Sequence, residues 1–335
     1  MTTGDSSGPA GALSARRPKG GLAALINPLS FRMSLRDRAA RSAECVHTHG
    51  GEVFEVTNLT GIEQALTRAL RQSVGHLVIA GGDGTLQGAV SFLARHLRPD
   101  EMPELILLSA GRTNYVAEDI GTRSHFLDTL ERILETPSDR LHPVERPTLK
   151  LEHPSIGQQH GFFMAGAMVD EVIRYVHRWQ AGRNTWLHRR HAASTAGVAS
   201  LAVRWMLGRY RFELPQLAIE TDPLGRVDHA IRFLLLSTLR HDGRLIDPYA
   251  RRGAGPVRVT AIRAGAKRLP LRLSRIARGR YSAEMTTEHG YLSGCCSEVM
   301  IRNIASITLD GQEFDLDPRH PLTVAAGPMF RFLRP

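Results

Sequence analysis

The pentapeptide Gly81-Gly82-Asp83-Gly84-Thr85 sets one carboxylate among three glycines. It follows an apolar run, His76 to Ala80, that reads as a short buried strand, and a helical pattern resumes at Leu86. A glycine-rich turn that opens a helix offers backbone N–H groups and the positive helix end to an anion. Glycines also let phosphate oxygens come close to the backbone. The turn lacks the Gly-Lys-Ser/Thr ending of a P-loop and does not fit G-x-G-x-x-G. Asp83 is the odd member, because a carboxylate beside bound phosphate repels it unless it holds a metal ion or accepts a proton. That combination points to phosphoryl transfer, where Mg²⁺ and a positioned base do most of the work. The competing reading is a plain tight turn with Asp83 capping the next helix.

The elements around this turn alternate. Strands are predicted over Leu22 to Ile26, Glu52 to Val56, His76 to Ala80 and Glu104 to Leu108. Helical spacing covers Ser34 to His47, Gly61 to Arg71, Leu86 to Arg95 and Phe126 to Leu134. Such alternation with short loops implies a parallel sheet covered on both faces, with ligands at the carboxyl ends of its strands. Asn27, the Gly81–Thr85 turn and the segment "SAGRTNYVAEDIG" all follow strands at that end.

Beyond Pro137 to Pro147 the texture changes. Strands are predicted at Pro143 to Leu151, Gln158 to Met164, Tyr210 to Glu220, His229 to Ser237 and Pro256 to Ile262. Others are Ser297 to Arg302, Ile304 to Leu309 and Leu322 to Ala326, with helices only near Val169 to Trp179, Thr195 to Leu207 and Lys267 to Gly279. The fold class expected is an α/β N-terminal domain with a parallel sheet, plus a β-rich antiparallel C-terminal domain. The division is a flexible tail over 1–20, a nucleotide-binding domain over 21–140 and a substrate domain over 141–335, whose last strands can pack back on the first.

The 335 residues, 42% of them hydrophobic, suffice for two cores. A formal charge of +10 favours an acidic partner: a nucleotide, a nucleic acid or an anionic membrane surface. The excess is nearly all arginine, since lysine occurs only as Lys19, Lys150 and Lys267. Three cysteines, Cys45, Cys295 and Cys296, form neither a disulfide framework nor a zinc spacing. No apolar run approaches the roughly 18 residues of a membrane span, and the first twenty residues lack the apolar core of a secretory signal. A cytoplasmic location follows by default. The stretch "RYVHRWQAGRNTWLHRRH", 174 to 191, mixes cations with Tyr175, Trp179 and Trp186. It suits the surface of an anionic bilayer as well as it suits a solvated helix with tryptophans in the core. No nucleic-acid motif is present, so no nucleic acid is expected as partner.

"INP" at Ile26 to Pro28, then "GGDGT", then "GRTNYVAEDIG", in that order, resemble the diacylglycerol kinase catalytic-domain family, which includes bacterial lipid kinases and the sphingosine and ceramide kinases. "GFFMAGAMVDEVI", "IRAGAKRLPLRLSRIARGRY" and "ITLDGQEFDLDPRHPLTVAAGPMFRFLRP" extend the resemblance to about residues 22 to 335. It implies a two-domain fold with the site in the cleft, ATP and Mg²⁺ as cofactors, and a lipid acceptor met at the inner membrane surface. By the same resemblance Asn27, Gly81, Gly82, Gly84 and Thr85 line the ATP phosphates. The loop Gly111, Arg112, Thr113 and Asn114 joins them, and Asp83 holds Mg²⁺ or orients the acceptor hydroxyl. Asp310, Gly311 and Gln312 match the closing "DGE".

Departures from the pattern are several. Gln87 and Gly88 stand for Asn and Glu, Arg112 for Thr, Tyr115 for Asp, and Gln312 for the Glu of "DGE". An amide cannot take a proton as a carboxylate can, and neighbouring Glu313 on a strand would face the other way. The "DDG" metal loop of some bacterial members is replaced by "RRGAGPV", so no second, structural metal is expected. Arg112 could offset phosphate charge in place of the lost hydroxyl. An active lipid kinase of a divergent branch is the expectation. A nucleotide- or lipid-binding protein without catalysis is the alternative, and an NAD kinase-like enzyme ranks below it. Oligomeric state is open, a homodimer included.

Overall fold

The computed structural model describes residues 20–35, 37–111, 114–122, 126–137, 140–181, 200–201, 209–240 and 247–334. The tail 1–19, Arg112, Thr113, Trp186 and most of the helix expected over 195–207 lie outside the described residues.

Four parallel strands, β1 (Gly21–Ile26), β2 (Glu52–Glu55), β3 (Val74–Gly81) and β4 (Glu104–Ser109), stand in the order β2-β1-β3-β4. Around them lie α1 (Arg38–Thr48), α2 (Leu59–Arg71), α3 (Asp83–His96), α4 (Tyr115–Asp119) and α5 (Phe126–Glu135). Alternate residues of the same strands enter different cores. Leu77, Ile79, Leu105 and Leu107 pack with Leu86 and Val90 of α3. Val78, Ala80, Ile106 and Leu108 pack with Leu130 and Ile133 of α5. A strand covered on both faces needs an unbroken apolar run, which is why "LVIA" and "LILL" do not alternate.

The rest is antiparallel. β5 (Val144–His153), β6 (Gly157–Gly161), β7 (Phe163–Ala167) and α6 (Met168–Ala181) come first. β8 (Gln216–Thr221), β9 (Gly225–Ser237), β10 (Val257–Arg263) and α7 (Leu269–Ile276) follow. β11 (Tyr291–Cys296), β12 (Glu298–Arg302), β13 (Ser306–Leu309), β14 (Gln312–Asp315) and β15 (Leu322–Phe332) close the chain. β9 belongs to two sheets: its first half pairs with β8 and its second half with β7 and β10. β15 pairs with β5 and β12, then meets β4 in parallel through Phe332 opposite Leu105, so the two kinds of sheet are hydrogen-bonded into one.

Several elements differ from expectation. The strand expected over Gln158 to Met164 is two, β6 and β7, because the buried Asp310 carboxylate accepts the N–H groups of Phe162 and Phe163 at 2.8 and 2.9 Å and turns the chain between sheets. The strand expected from Tyr210 starts only at Gln216, after Pro215. β15 runs six residues past Ala326 because β5 continues beside it. β11 was not expected. β11 contains Gly294 at φ +153, and β14 is only four residues long. Cys295 and Cys296 are free thiols within β11.

Candidate functional site

The glycine turn sits where the parallel sheet ends. Gly81 is the last residue of β3 and Gly82 is the extended N-cap of α3 (φ −85, ψ −179). Asp83 is therefore the first helical residue rather than a capping one, and the helix begins three residues before Leu86. The N–H groups of Asp83 and Gly84 belong to the first turn and have no intrahelical acceptor. A carboxylate here is favoured by the helix dipole, as is any anion that approaches those amides.

Asn27 and Thr85 build the turn. Asn27 Nδ2 donates to Thr85 Oγ1 at 3.1 Å, while Asn27 Oδ1 accepts the Leu29 N–H at 3.0 Å. This ties the end of β1 to the start of α3. After β4, Asn114 closes a small loop in the left-handed conformation at φ 50. Its Oδ1 accepts the Gly111 N–H at 2.7 Å and its Nδ2 donates to the Gly111 carbonyl at 2.8 Å. A Cβ on Gly111 would lie 2.9 Å from the Gly82 Cα, so the two loops touch backbone to backbone only as glycines. The side chains of Asn27, Thr85 and Asn114 thus shape the amide-rich surface. The Tyr115 amide, first in α4, meets Asp83 Oδ2 at 3.5 Å.

The far end of the chain closes this site. β13 and β14 form a two-residue hairpin at Asp310 and Gly311, both at positive φ (45 and 82), as an Asp-Gly turn of the primed type requires. Asp310 is 4% exposed. Burial, and the Asp83 carboxylate near it, push Asp310 well above the ordinary carboxylate range, against the pull of its two amide donors. Gln312 reaches α3, where a Cβ on Gly84 would overlap its side-chain amide. Glu313, one residue on, faces away and meets His177 Nδ1 at 2.7 Å, as the strand period of two demands. Asp83, Gly84, Asp310 and Gln312 therefore meet although more than 220 residues separate the two segments.

Two features of this region carry no sequence motif. Arg174 of α6 holds the hairpin from behind: it pairs with Asp170 at 3.0 Å and Asp315 at 2.8 Å and donates to the carbonyls of Ile307 and Phe314. Asp170, nearly fully buried, also accepts from Ser306 and Thr308. The i, i+4 spacing of Asp170 and Arg174 is the one sequence signal that could have marked this clamp. At the other end of β7, Met168, Val172, Phe212, Phe233, Leu269 and Leu273 line an apolar cavity of about 550 Å³. Five strand residues separate it from the Phe163 amide, about 16 Å at the usual rise.

The substituted positions have evident packing roles. Gln87 is buried and donates to Ser91 Oγ at 3.0 Å and toward the His160 carbonyl, which fastens α3 to β6. Gly88 lies under α2, where a Cβ would come 2.8 Å from Leu59 and 3.2 Å from Ile62. The His160 ring is buried, and burial together with Lys150 and Arg95 pushes it down to about 4.

Among the described residues no three His, Cys, Asp or Glu side chains converge as a metal cage. A Mg²⁺ site needs less, since that ion keeps several waters and uses one or two carboxylates plus substrate phosphates. The mutual repulsion of Asp83 and Asp310 is what a cation between phosphates and carboxylate would relieve. Among the described residues no helix is long and apolar enough to cross a membrane.

Residues 21–145 match the family model of the diacylglycerol kinase catalytic domain. No curated protein matches the chain. Among solved structures, a diacylglycerol kinase from Bacillus anthracis str. Sterne superposes with a TM-score of 0.60 at 10% identity, covering 94% of this chain and 97% of that one. Two others from the same organism, described as candidate diacylglycerol kinases, give TM-scores of 0.63 and 0.58 at 12% identity. They cover 97% and 93% of this chain, and 98% and 96% of their own. At such identity these three are similar to this chain in fold.

Proposed function

We propose, on the premise that residues 21–145 are a diacylglycerol kinase catalytic domain, that the protein transfers the γ-phosphate of ATP to the hydroxyl of a lipid. The observation that carries this reading is the meeting of Asp83, at the amide-rich start of α3, with the Asp310–Gln312 hairpin. The N–H groups of Asp83 and Gly84, and the Gly82–Gly111 contact that lets phosphates approach, cradle the nucleotide. The acceptor oxygen attacks the γ-phosphorus, the bond to the ADP oxygen breaks, and the hydroxyl proton leaves toward the Asp83 carboxylate. Asp83 is the residue that would hold Mg²⁺, which when bound neutralises phosphate charge. Asp310 braces the β6–β7 break. The apolar cavity at the end of β7 takes the lipid chain, which supports a lipid acceptor such as diacylglycerol, ceramide or a sphingoid base. The enzyme reaches that lipid as a peripheral protein on the inner membrane surface.

The test is phosphate transfer from labelled ATP with Mg²⁺ to a total lipid extract in mixed micelles, beside Asp83→Asn. A labelled lipid made only by the unaltered protein supports the reading; equal labelling by both sinks the role of Asp83. One observation favours a second reading, a binder without turnover: the amide of Gln312 occupies the place against Gly84 where a proton acceptor would be useful. Any turnover by the unaltered protein excludes it. A large gain in Gln312→Glu would mark Gln312 as the lost base.

A further inference from the structure

Among the described residues, Arg232 is the one charged side chain that lines the apolar cavity at the end of β7. Ile262 of β10 pairs with Phe233 of β9, but the next residue, Arg263, pairs with Ile231. Arg232 is therefore the extra residue of a β-bulge, at the bend where β9 passes from one sheet to the other. Regular alternation would send Arg232 and Phe233 to opposite faces. The bulge lets both line the cavity.

Arg232 stands apart from other arginines whose side chains are largely covered. Arg146, Arg174, Arg258 and Arg272 each meet a carboxylate, of Asp119, Asp170, Asp247 and Glu284 respectively. Arg232 Nε is buried and has no hydrogen-bond partner among the described residues. The two carboxylates at the start of α6, whose Met168 and Val172 share the cavity wall, are engaged elsewhere. Asp170 holds Arg174, Ser306 and Thr308, and Glu171 accepts from the Tyr210 hydroxyl and the Glu213 amide. A guanidinium in an apolar wall without a counter-charge is costly until an oxyanion reaches it.

We infer that Arg232 is a specificity-determining residue and that the cavity selects an acidic amphiphile. The apolar chain lies against Met168, Val172, Leu269 and Leu273, and a carboxylate or phosphate oxygen lies on the Arg232 guanidinium. This deepens the lipid reading proposed above and rests on it for the identity of the amphiphile as acceptor or product. Its binding step needs no ATP.

Calorimetric titration of the full chain with dodecanol, dodecanoate and dodecyl phosphate, each below its micelle concentration, tests it. Both anionic probes are expected to bind about tenfold to a hundredfold more tightly than the alcohol, and their ranking separates a carboxylate from a phosphate head. Arg232→Met is expected to erase that preference and leave dodecanol affinity unchanged, while Arg232→Lys retains part of it. Equal affinities in the unaltered protein, no binding of any probe, or a preference that survives in a folded Arg232→Met would each overturn the inference. Tight acid binding without phosphate transfer to any lipid would break the kinase reading alone. Transfer to lipids unaffected by Arg232→Met would break this inference alone.

Discussion

The start of α3 and the β13–β14 hairpin each bring one carboxylate to the same place, and they hold it in opposite ways. Asp83 is half-buried at the mouth of a helix, with the Tyr115 amide at 3.5 Å from one oxygen. Asp310 is buried in a left-handed turn, each oxygen taken by a backbone amide below 3 Å, and its hairpin is clamped by Arg174. The difference separates chemistry from bracing. A carboxylate at a helix mouth can exchange water for a proton or a cation. One saturated by backbone donors fixes where two sheets part. Burial raises the Asp310 pKa, so its ionised form costs stability as pH rises above the usual carboxylate range, and that cost is absent in acid.

The sharpest way to break this contrast is to neutralise both carboxylates. Asp83→Asn is expected to lower phosphate transfer by about a hundredfold or more while the thermal midpoint holds within about 2 °C. Asp310→Ala should do the reverse in kind: it leaves the Phe162 and Phe163 amides unsatisfied and costs stability in urea titration. If Asp83→Asn unfolded the protein and Asp310→Ala did not, the assignment of chemistry and brace would be inverted.

Removing the clamp is the next largest effect. Arg174→Ala leaves Asp170 buried without its cation, which is expected to cost about 3 kcal/mol in equilibrium unfolding. A loss under about 0.5 kcal/mol would show that Ser306 and Thr308 suffice for Asp170.

A pH effect of similar size at its extreme tests the wall behind α3. His160 falls from 6.5 to about 4 in the folded chain. Above 6.5 it is neutral in both states and contributes no slope. As pH falls from 6.5 toward 4 the unfolded chain gains a proton that the folded chain refuses, and stability drops by up to about 3 kcal/mol. His160→Gln should flatten that part of the stability curve, and an unchanged slope would acquit His160.

The smallest expected effect is at Gly88. Gly88→Ala gains helix propensity but presses the flexible tips of Leu59 and Ile62, so its stability change should stay within about 1 kcal/mol. Gly88→Glu, which restores the residue of the resembled motif, should cost more, because a carboxylate would enter the α2–α3 contact.

How far each part could be read from the chain follows the range of the forces that set it. The glycine turn and its strand were legible because a buried run of β-branched and leucine residues, then glycine, are local signals. Asp310 and Gly311 were placed by the resemblance rather than by a local signal. The site roles of Asn27, Thr85 and Asn114 came from the resemblance alone, and that their side chains bond the loops themselves became visible only in the structure. The break between β6 and β7 was hidden because its cause, Asp310, lies about 150 residues away.

The sequence by itself determined the alternation of strands and helices, the amide-rich start of α3 and the carboxylate at its mouth, since pattern, glycine and helix ends act over a few residues. Only the tertiary structure decided that Gln312 would rest on Gly84 and Glu313 on His177. It also decided that β15 would join the two sheets, and that a bulge would turn Arg232 into an apolar cavity. Register between distant strands, and the burial of a charge without its partner, are properties of packing that no local stretch of the chain contains.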